Sequence, residues 1–301
     1  MNEYFGVWMN PQPHRLRVSL LARFFLCCQS GYNSHHSLRL KEMICMRTLV
    51  ATRYLTPLRE GGSLPAVVEA DDSQLYVMKF VGAGQGVKAL IAELVAGEIA
   101  RALDLPIPEM VFLTLDPALG PSEPNGEIHD LLRASVGLNL GFRYLPNAFT
   151  FNPQLPPRPD PAVASAIVWF DAYVANVDRT LRNINLLVWQ RTLWLIDHGA
   201  ALYFHHNWRD FAARSRSPFA LVKDHALLRF ASQLRAADEQ AHDRLTPAVI
   251  RTITDLIPAP WLHGPELGPD PAQSRQVYHD FLLDRLAASA LFVQEANRVR
   301  V

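Results

Sequence analysis

Five side chains of this 301-residue chain have the types, and the order, that transfer of a phosphoryl group from ATP requires. A cation can neutralise the phosphates, an acid can hold that cation, and a further carboxylate can lie beside the attacking hydroxyl. An amide oxygen and a second carboxylate can bind Mg²⁺. In chain order they are Lys79 in LYVMKFV, Glu93 in the following helical pattern, Asp178 and Asn183 in NVDRTLRNIN, and Asp197 in WLIDHG. The pattern predicts a site for ATP and Mg²⁺.

Each of these residues also fits a purely structural role when taken alone. A lysine in an apolar strand often lies at an exposed edge, and a glutamate on an amphipathic helix is often solvated. Glu98 competes with Glu93 for the role of the acid. An Asp and an Asn after a helix are frequently cap and turn residues. The conjunction of all five, on the right kinds of element, favours the functional interpretation.

The chain from Met46 onward begins with the pattern of a small β-rich unit that contains one long helix. Alternating and β-branched residues predict the strands, and apolar residues at helical spacing predict the helix. The predicted elements are strands at 47–55, 66–70, 75–81 and 110–115, and a helix at 87–105.

The second half is predicted to be mostly helical and to follow a linker with five prolines between residues 152 and 161. The element pattern of the chain is therefore α+β, with a small β-rich N-lobe at 46–145 and a mostly helical C-lobe at 146–301, and we expect a ligand cleft between the two lobes. The further predicted elements are a helix at 127–135, a strand at 140–146, a helix that Asp160 and Pro161 begin, strands at 185–189 and 192–197, and helices at 219–236, 246–256 and 270–297.

The composition restricts the class of protein. Apolar residues make up 49% of the chain and charged residues 19%, which argues against wholesale disorder. Lys and Arg number 29, as do Asp and Glu, so the charge favours neither nucleic acid nor a membrane surface as a partner. No apolar run reaches the length of a membrane span. Cys27, Cys28 and Cys45 cannot form a disulfide framework across the body, so we expect a reducing, cytoplasmic location.

Residues 1–45 lack a stable pattern, and we expect a poorly ordered N-terminal extension there. The short apolar run at 18–28 follows two arginines and is similar to a weak signal peptide, but no clear cleavage site follows it. The alternative to targeting is that this extension is translated from upstream of a true start at Met46.

The sequence resembles the HipA-like kinases and, more distantly, the phosphatidylinositol 3/4-kinase-like fold. The resemblance covers nearly everything from Met46 to about residue 265, and it implies a two-lobed kinase fold that binds ATP and Mg²⁺. It implies that Asp178 is the catalytic base, that Asn183 and Asp197 bind the metal, and that Lys79, held by Glu93, anchors the phosphates. The segments that carry it are NVDRTLRN, LWLIDHG, VMKF, AELVAGEIARALDLPIPE and GLNLGFRYLP.

Two positions depart from the family pattern. Thr180 stands where the family often has a His after Asp-Arg, and His198 stands in the middle of the metal motif in place of an aromatic residue.

The roles of two arginines in the same loop stay open. Arg179 either lies on the surface or orients the loop, and Arg182 contacts either phosphate or solvent.

Other nucleotide contacts are carried over from the resemblance. No G-x-G-x-x-G occurs near the first hairpin, so only EGGSLP at 60–65 can cover the phosphates, through Gly61, Gly62 and Ser63. Tyr144 and Leu145 fall where the resemblance places the hinge between the lobes, and there we expect a backbone hydrogen bond to adenine.

The histidines after the metal motif raise the alternative of a zinc site. They lack the H-x-x-x-H pair of a helical site and have no Cys nearby, so packing and polar contacts are the simpler role. These residues are His198, His205, His206 and His225.

The resemblance implies a Ser or Thr of a protein as the acceptor of the phosphoryl group. A lipid or small-molecule hydroxyl, transfer of a nucleotidyl group, and a catalytically silent interaction or regulatory protein of the same fold remain as alternatives. The complete set of five residues argues against the silent protein.

Overall fold

A computed structural model describes residues 46–58, 64–84, 86–119, 125–156, 158–208, 211–263 and 270–300. The predicted extension at 1–45 and the predicted phosphate contacts of Gly61, Gly62 and Ser63 lie outside these residues.

The N-terminal part is a closed five-stranded barrel. Along each strand alternate side chains point inward, and Val68, Tyr76, Met78, Val111 and Leu113 fill the interior. The sequence predicts these strands but not the closure, which comes from parallel pairing of the first strand with the fourth. In the order β1-β2-β3-β5-β4, the strands are β1 (Thr48–Pro57), β2 (Ala66–Ala70), β3 (Leu75–Lys79), β4 (Met110–Leu115) and β5 (Gly137–Arg143).

The long helix α1 (Gly86–Ala102) connects β3 to β4 and is buried on nearly every side from Leu90 to Ala100. Such all-round burial is typical of a helix enclosed between other elements. Two of the buried residues of this helix are acids, Glu93 and Glu98. A short helix, α2 (Gly126–Ala134), follows β4, and the side chain of Asn125 caps it.

Helix α3 (Pro161–Tyr173) begins where the sequence predicts. Asp160 accepts hydrogen bonds from the backbone N–H groups of Ala162 (2.8 Å) and Val163 (3.2 Å), and Pro161 occupies the first turn. The predicted boundary between lobes at 145/146 falls in the connection between β5 and α3, and its position stays a prediction.

A second, three-stranded antiparallel sheet has the order β6-β7-β8. The predicted hairpin is confirmed: Gln190 and Arg191 turn the chain with φ angles of 49° and 65°, the conformation of a tight two-residue turn. The strands are β6 (Phe149–Thr150), β7 (Leu186–Trp189) and β8 (Thr192–Leu195).

The C-terminal third corrects two predictions. The helix predicted at 219–236 is wrong, because two short 3₁₀ turns at Ala220–Asp224 and Leu228–Phe230 interrupt that stretch and an α-helix begins only at Leu234. Between them His225 is extended and pairs with Thr180, so a helix cannot continue. The helix predicted at 270–297 is interrupted at Ala288. The helices are α4 (Phe211–Ser215), α5 (Leu234–Arg244), α6 (Pro247–Asp255), α7 (Pro271–Ala287) and α8 (Ser289–Val299).

Among the described residues, none of the helices has both the length and the apolar character needed to cross a bilayer.

Candidate active site

The structure brings Lys79, Glu93 and Asp197 together. Since Tyr76 and Met78 point into the barrel, Lys79 at the end of β3 points out of it, towards α1. Its Nζ contacts Oε1 of Glu93 and lies 2.7 Å from Oδ1 of Asp197. Glu93 is the acid that pairs with the lysine, whereas Glu98 pairs with Arg101.

Glu93 also contacts the segment that carries Asp197. Its Oε2 accepts a hydrogen bond from the backbone N–H of His198 at 2.9 Å. Gly199 then passes so close to α1 that a Cβ at this position would lie 3.2 Å from Oε1 of Glu93. The Asp-His-Gly sequence therefore fits tightly against the helix.

The three charged groups alter one another's pKa values. Burial lowers the pKa of Lys79, but Glu93 and Asp197 outweigh it and raise that pKa. Burial raises the pKa of Glu93 to about 7, against the effect of Lys79. Burial also acts to raise the pKa of Asp197, but the ammonium of Lys79 holds that pKa at about 2. With two acids and one cation, the group favours an additional positive charge.

Asp178 and Asn183 form the second part of the site, in the loop after α3. Nδ2 of Asn183 donates to Oδ2 of Asp178 at 2.6 Å, which leaves the amide oxygen of Asn183 for another partner. Burial, followed by the charge of Asp197, raises the pKa of Asp178. The two aspartates are therefore close enough to interact electrostatically.

Thr180 closes this loop. Its backbone N–H donates to the carbonyl oxygens of Asp178 (2.9 Å) and Asn183 (3.0 Å), and its hydroxyl oxygen accepts from the N–H of Asn183 at 3.3 Å. A threonine at this position thus has a structural role in the loop, where the family pattern has a histidine. Arg182 is exposed.

Arg179 is buried, with 1% exposure, which settles the choice that the sequence left open. Its Nε donates to Oδ2 of Asp171 at 2.6 Å. Its Nη1 donates to the carbonyl oxygens of Asn185 and, at 3.3 Å, of Ile196, and its Nη2 lies 3.1 Å from Nδ1 of His198. Arg179 therefore orients the loop and does not lie on the surface.

Asp171 is the residue that sequence reasoning missed. It is fully buried on α3, and it accepts from Asn176 at 2.8 Å and from Arg179. Nδ1 of His225 accepts from the N–H of Leu227, so its Nε2 carries the proton and donates to Asp171 at 2.9 Å. Although burial opposes it, Arg179 and His225 hold the pKa of Asp171 far below its usual range. An acid inside the apolar helix VWFDAY was the signal that could have revealed it.

Three of the four histidines, His198, His205 and His225, are buried polar residues, and His206 is exposed. His198 and His225 belong to this buried hydrogen-bond network, and His205 lies 3.2 Å from the hydroxyl of Tyr278. Burial lowers the pKa of His198 to about 3, so it is neutral. Within the described ranges, no three His, Cys, Asp or Glu side chains are grouped to hold a metal ion.

An open cavity lies beside Lys79. A turn between β3 and α1 borders it, and this turn carries Gly82, Gly84 and Gly86, which the sequence reasoning overlooked. Gly86 has a φ of 60°, and a Cβ on Gly84 or Gly86 would meet only open space. Three alternating glycines between a strand and a helix were the available signal. The cavity is lined by Lys79, Phe80, Ala83, Gly86, Ala89, Leu90, Glu93, Asp197 and Gly199.

Some backbone groups of the predicted hinge already have hydrogen-bond partners within the protein, so fewer of them can bind adenine. The N–H of Tyr144 donates to the carbonyl of Leu75 at 2.9 Å, so this N–H is already engaged. Leu145 is buried, and its carbonyl accepts from Ala148 at 3.3 Å.

The family model for HipA-like kinase matches residues 52–289. A search of the curated proteins found no match. The proinflammatory kinase CtkA of Helicobacter pylori is similar in structure, with a TM-score of 0.53 and 12% identity, over 84% of this chain and 99% of that one. Golgi casein kinase with Mn/ADP bound gives a TM-score of 0.45 and 10% identity, over 88% of this chain and 77% of that one.

The similarity to CtkA is one of fold, and it confirms the two-lobed kinase architecture. The family match covers the barrel from β1, the long helix, both halves of the site and most of the C-terminal helices. This chain is therefore a kinase that belongs to the HipA-like kinase family.

Proposed function

We propose that this kinase transfers the γ-phosphoryl group of Mg-ATP to a Ser or Thr hydroxyl of a protein. One observation carries the proposal: Nζ of Lys79 contacts both Glu93 and Asp197, and Asp197 also acts to raise the pKa of Asp178. In this proposal the site supplies a cation for phosphates, oxygen ligands for a metal and a carboxylate for a hydroxyl.

Lys79 binds the phosphates in this proposal, and Glu93 keeps its side chain in place. Asp178 orients the attacking hydroxyl and accepts its proton. Its raised pKa makes its carboxylate a better proton acceptor than that of an ordinary aspartate. Most of the acceleration comes from position and from neutralised charge.

The donor set fits a hard divalent cation such as Mg²⁺. Asn183 offers an amide oxygen, Asp197 offers the carboxylate oxygen that Lys79 leaves open, and the surplus of acids favours a cation. Two such ligands suit Mg²⁺, which keeps waters and binds phosphate oxygens. When bound, the metal supplies charge neutralisation at the phosphates.

We place the phosphates of ATP at the open cavity beside Lys79. Small residues, Ala83, Gly86 and Ala89, form one wall and leave space there. The contacts of Gly61, Gly62 and Ser63 with phosphate stay predictions. For adenine, the carbonyl of Tyr144 and the backbone of Leu145 remain as partners.

The protein acceptor rests on the family alone, and a cytoplasmic location rests on the cysteines alone. A lipid or small-molecule hydroxyl and nucleotidyl transfer are the competing chemistries. Mass spectrometry of protein acceptors after incubation with Mg-ATP distinguishes phosphoryl transfer from nucleotidyl transfer, since a phosphoryl group adds about 80 Da and an AMP group about 329 Da.

The decisive assay uses γ-labelled ATP with the purified chain and a mixture of Ser/Thr peptides. We expect label on peptide Ser or Thr and none with Asp178→Ala. Label only on lipid or small molecules would overturn the protein acceptor, and ATP binding without any transfer would overturn the kinase mechanism.

A further inference from the structure

Arg179 joins the two halves of the active site through a single planar group. Asn185, whose carbonyl it binds, lies two residues after Asn183, and Ile196, whose carbonyl it also binds, directly precedes Asp197. The same guanidinium therefore contacts the backbone beside each of the two proposed metal ligands.

The backbone at these contacts is left-handed. Asn185 and Asp197 have φ angles of 48° and 55°. Asn and Asp adopt this conformation more readily than other non-glycine residues do, and neighbouring hydrogen bonds stabilise it. The carbonyl of Ile196 belongs to the peptide plane that sets φ of Asp197, and the carbonyl of Asn185 belongs to the plane that sets its own ψ. By binding both carbonyls, Arg179 stabilises the left-handed conformation of both residues.

Asp171 holds Arg179 in this orientation. It lies on the rigid helix α3, is fully buried, and binds Nε of Arg179 at 2.6 Å. The neutral ring of His198 and the pair of carbonyls take up the Nη groups. A lysine has one point charge and no fork, so it cannot contact Asp171, two carbonyls and the His198 ring together.

We propose that Arg179, held by Asp171, is a positioning residue that sets the spacing between Asn183 and Asp197 and so determines the affinity for the divalent metal. This inference rests on the proposed function, in which these two residues bind that metal. Neither Arg179 nor Asp171 contacts the metal or the reacting atoms in this proposal.

The test compares two buried arginines that both bind backbone carbonyls. Arg285 is as buried as Arg179, but its partners are carbonyls of Ala172, Tyr173, Ser215 and Ser217, none of them next to a proposed ligand. Arg179→Lys and Arg285→Lys therefore carry the same chemical change. The isosteric Asp171→Asn is the second test variant, should Arg179→Lys fail to fold.

Mn²⁺ affinity is measured directly, from the free Mn²⁺ signal in electron paramagnetic resonance with a non-hydrolysable ATP analogue present. We expect Arg179→Lys to weaken Mn²⁺ binding by about tenfold or more and Asp171→Asn to weaken it by a smaller factor. Arg285→Lys lowers the melting temperature but leaves the Mn²⁺ affinity within about twofold of the wild type.

Equal Mn²⁺ affinity of the two Arg→Lys variants, or of Asp171→Asn and the wild type, would overturn the inference. Wild-type protein that binds Mn²⁺ but transfers no phosphoryl group would overturn the proposed function alone. Wild-type protein that binds no Mn²⁺ would overturn both.

Discussion

Nζ of Lys79 lies 2.7 Å from Oδ1 of Asp197, a residue 118 positions further along the chain. Lys79 ends a strand of the barrel, and Asp197 follows the hairpin of the second sheet. The contact joins the cation of the N-terminal part to an acid of the C-terminal part. Glu93 is the third member of this group, so loss of the lysine leaves two acids without their shared partner.

Replacement of Lys79 by methionine keeps the length of the side chain and removes the charge. We expect phosphoryl transfer to fall by about 10²–10³-fold, because the phosphates lose their cation. We also expect the free energy of unfolding to fall by about 1–3 kcal/mol, because Glu93 stays buried without its ion-pair partner. Activity assays and urea unfolding measure the two effects.

The control for this change is Arg235→Met, which removes an exposed cation on α5. It leaves both quantities nearly unchanged. Normal transfer by Lys79→Met would refute the role of Lys79 as the phosphate anchor.

Replacement of Asp178 by asparagine separates binding from chemistry. We expect the transfer rate to fall by about 10²–10⁴-fold, because an amide cannot accept the proton of the hydroxyl. The thermal shift produced by Mg-ATP stays close to that of the wild type, because Asp178 binds neither phosphate nor metal in the proposed site. Retained transfer, or a lost thermal shift, would contradict this assignment.

Replacement of Ala89 by leucine tests whether the cavity beside Lys79 holds the phosphates. Ala89 lines that cavity from α1, so the larger side chain enters the space. We expect the Kd for Mg-ATP to rise by about tenfold or more, as binding energy worth more than about 1.4 kcal/mol is lost. Isothermal titration calorimetry measures it.

Ala248→Leu is the matched control, since Ala248 is an exposed residue of helix α6. It leaves the Kd unchanged. An unchanged Kd for Ala89→Leu would place the phosphates elsewhere.

Glu98 predicts a pH dependence of stability. Burial, opposed by Arg101, raises the pKa of this carboxyl from 4.5 to about 7. Between pH 4.5 and about pH 7 the folded chain keeps a proton that the unfolded chain releases. The free energy of unfolding therefore falls as the pH rises across this interval. Glu98→Gln cannot ionise and escapes this loss.

Urea unfolding of both proteins at about pH 5.5 and about pH 8.5 measures this effect, and we expect the wild type to lose about 1–3 kcal/mol more than Glu98→Gln. The titration of Glu93 occurs in both proteins and cancels in the comparison. Identical losses would show that Glu98 is ionised in the folded chain at both pH values.

The local elements and the types of residue in the site could be predicted from neighbouring residues. Strand alternation, helical spacing and the Asp160-Pro161 start depend on neighbouring residues, and those elements lie close to where they were predicted. The Asp178–Asn183 pair could also be predicted, because five residues of one loop fix how its two side chains meet.

The contacts between distant segments could not be predicted in this way, because they arise only when the chain packs in three dimensions. Closure of the barrel depends on parallel pairing of β1 with β4, and the loss of the helix predicted at 219–236 depends on His225, which binds Asp171 from 54 residues away. Arg179 could have been solvated or buried, because a lone arginine in a loop carries no local signal for either. Its burial follows from Asp171 inside α3, where an unpaired carboxylate would be too costly, so packing and charge compensation together fixed the centre of the site.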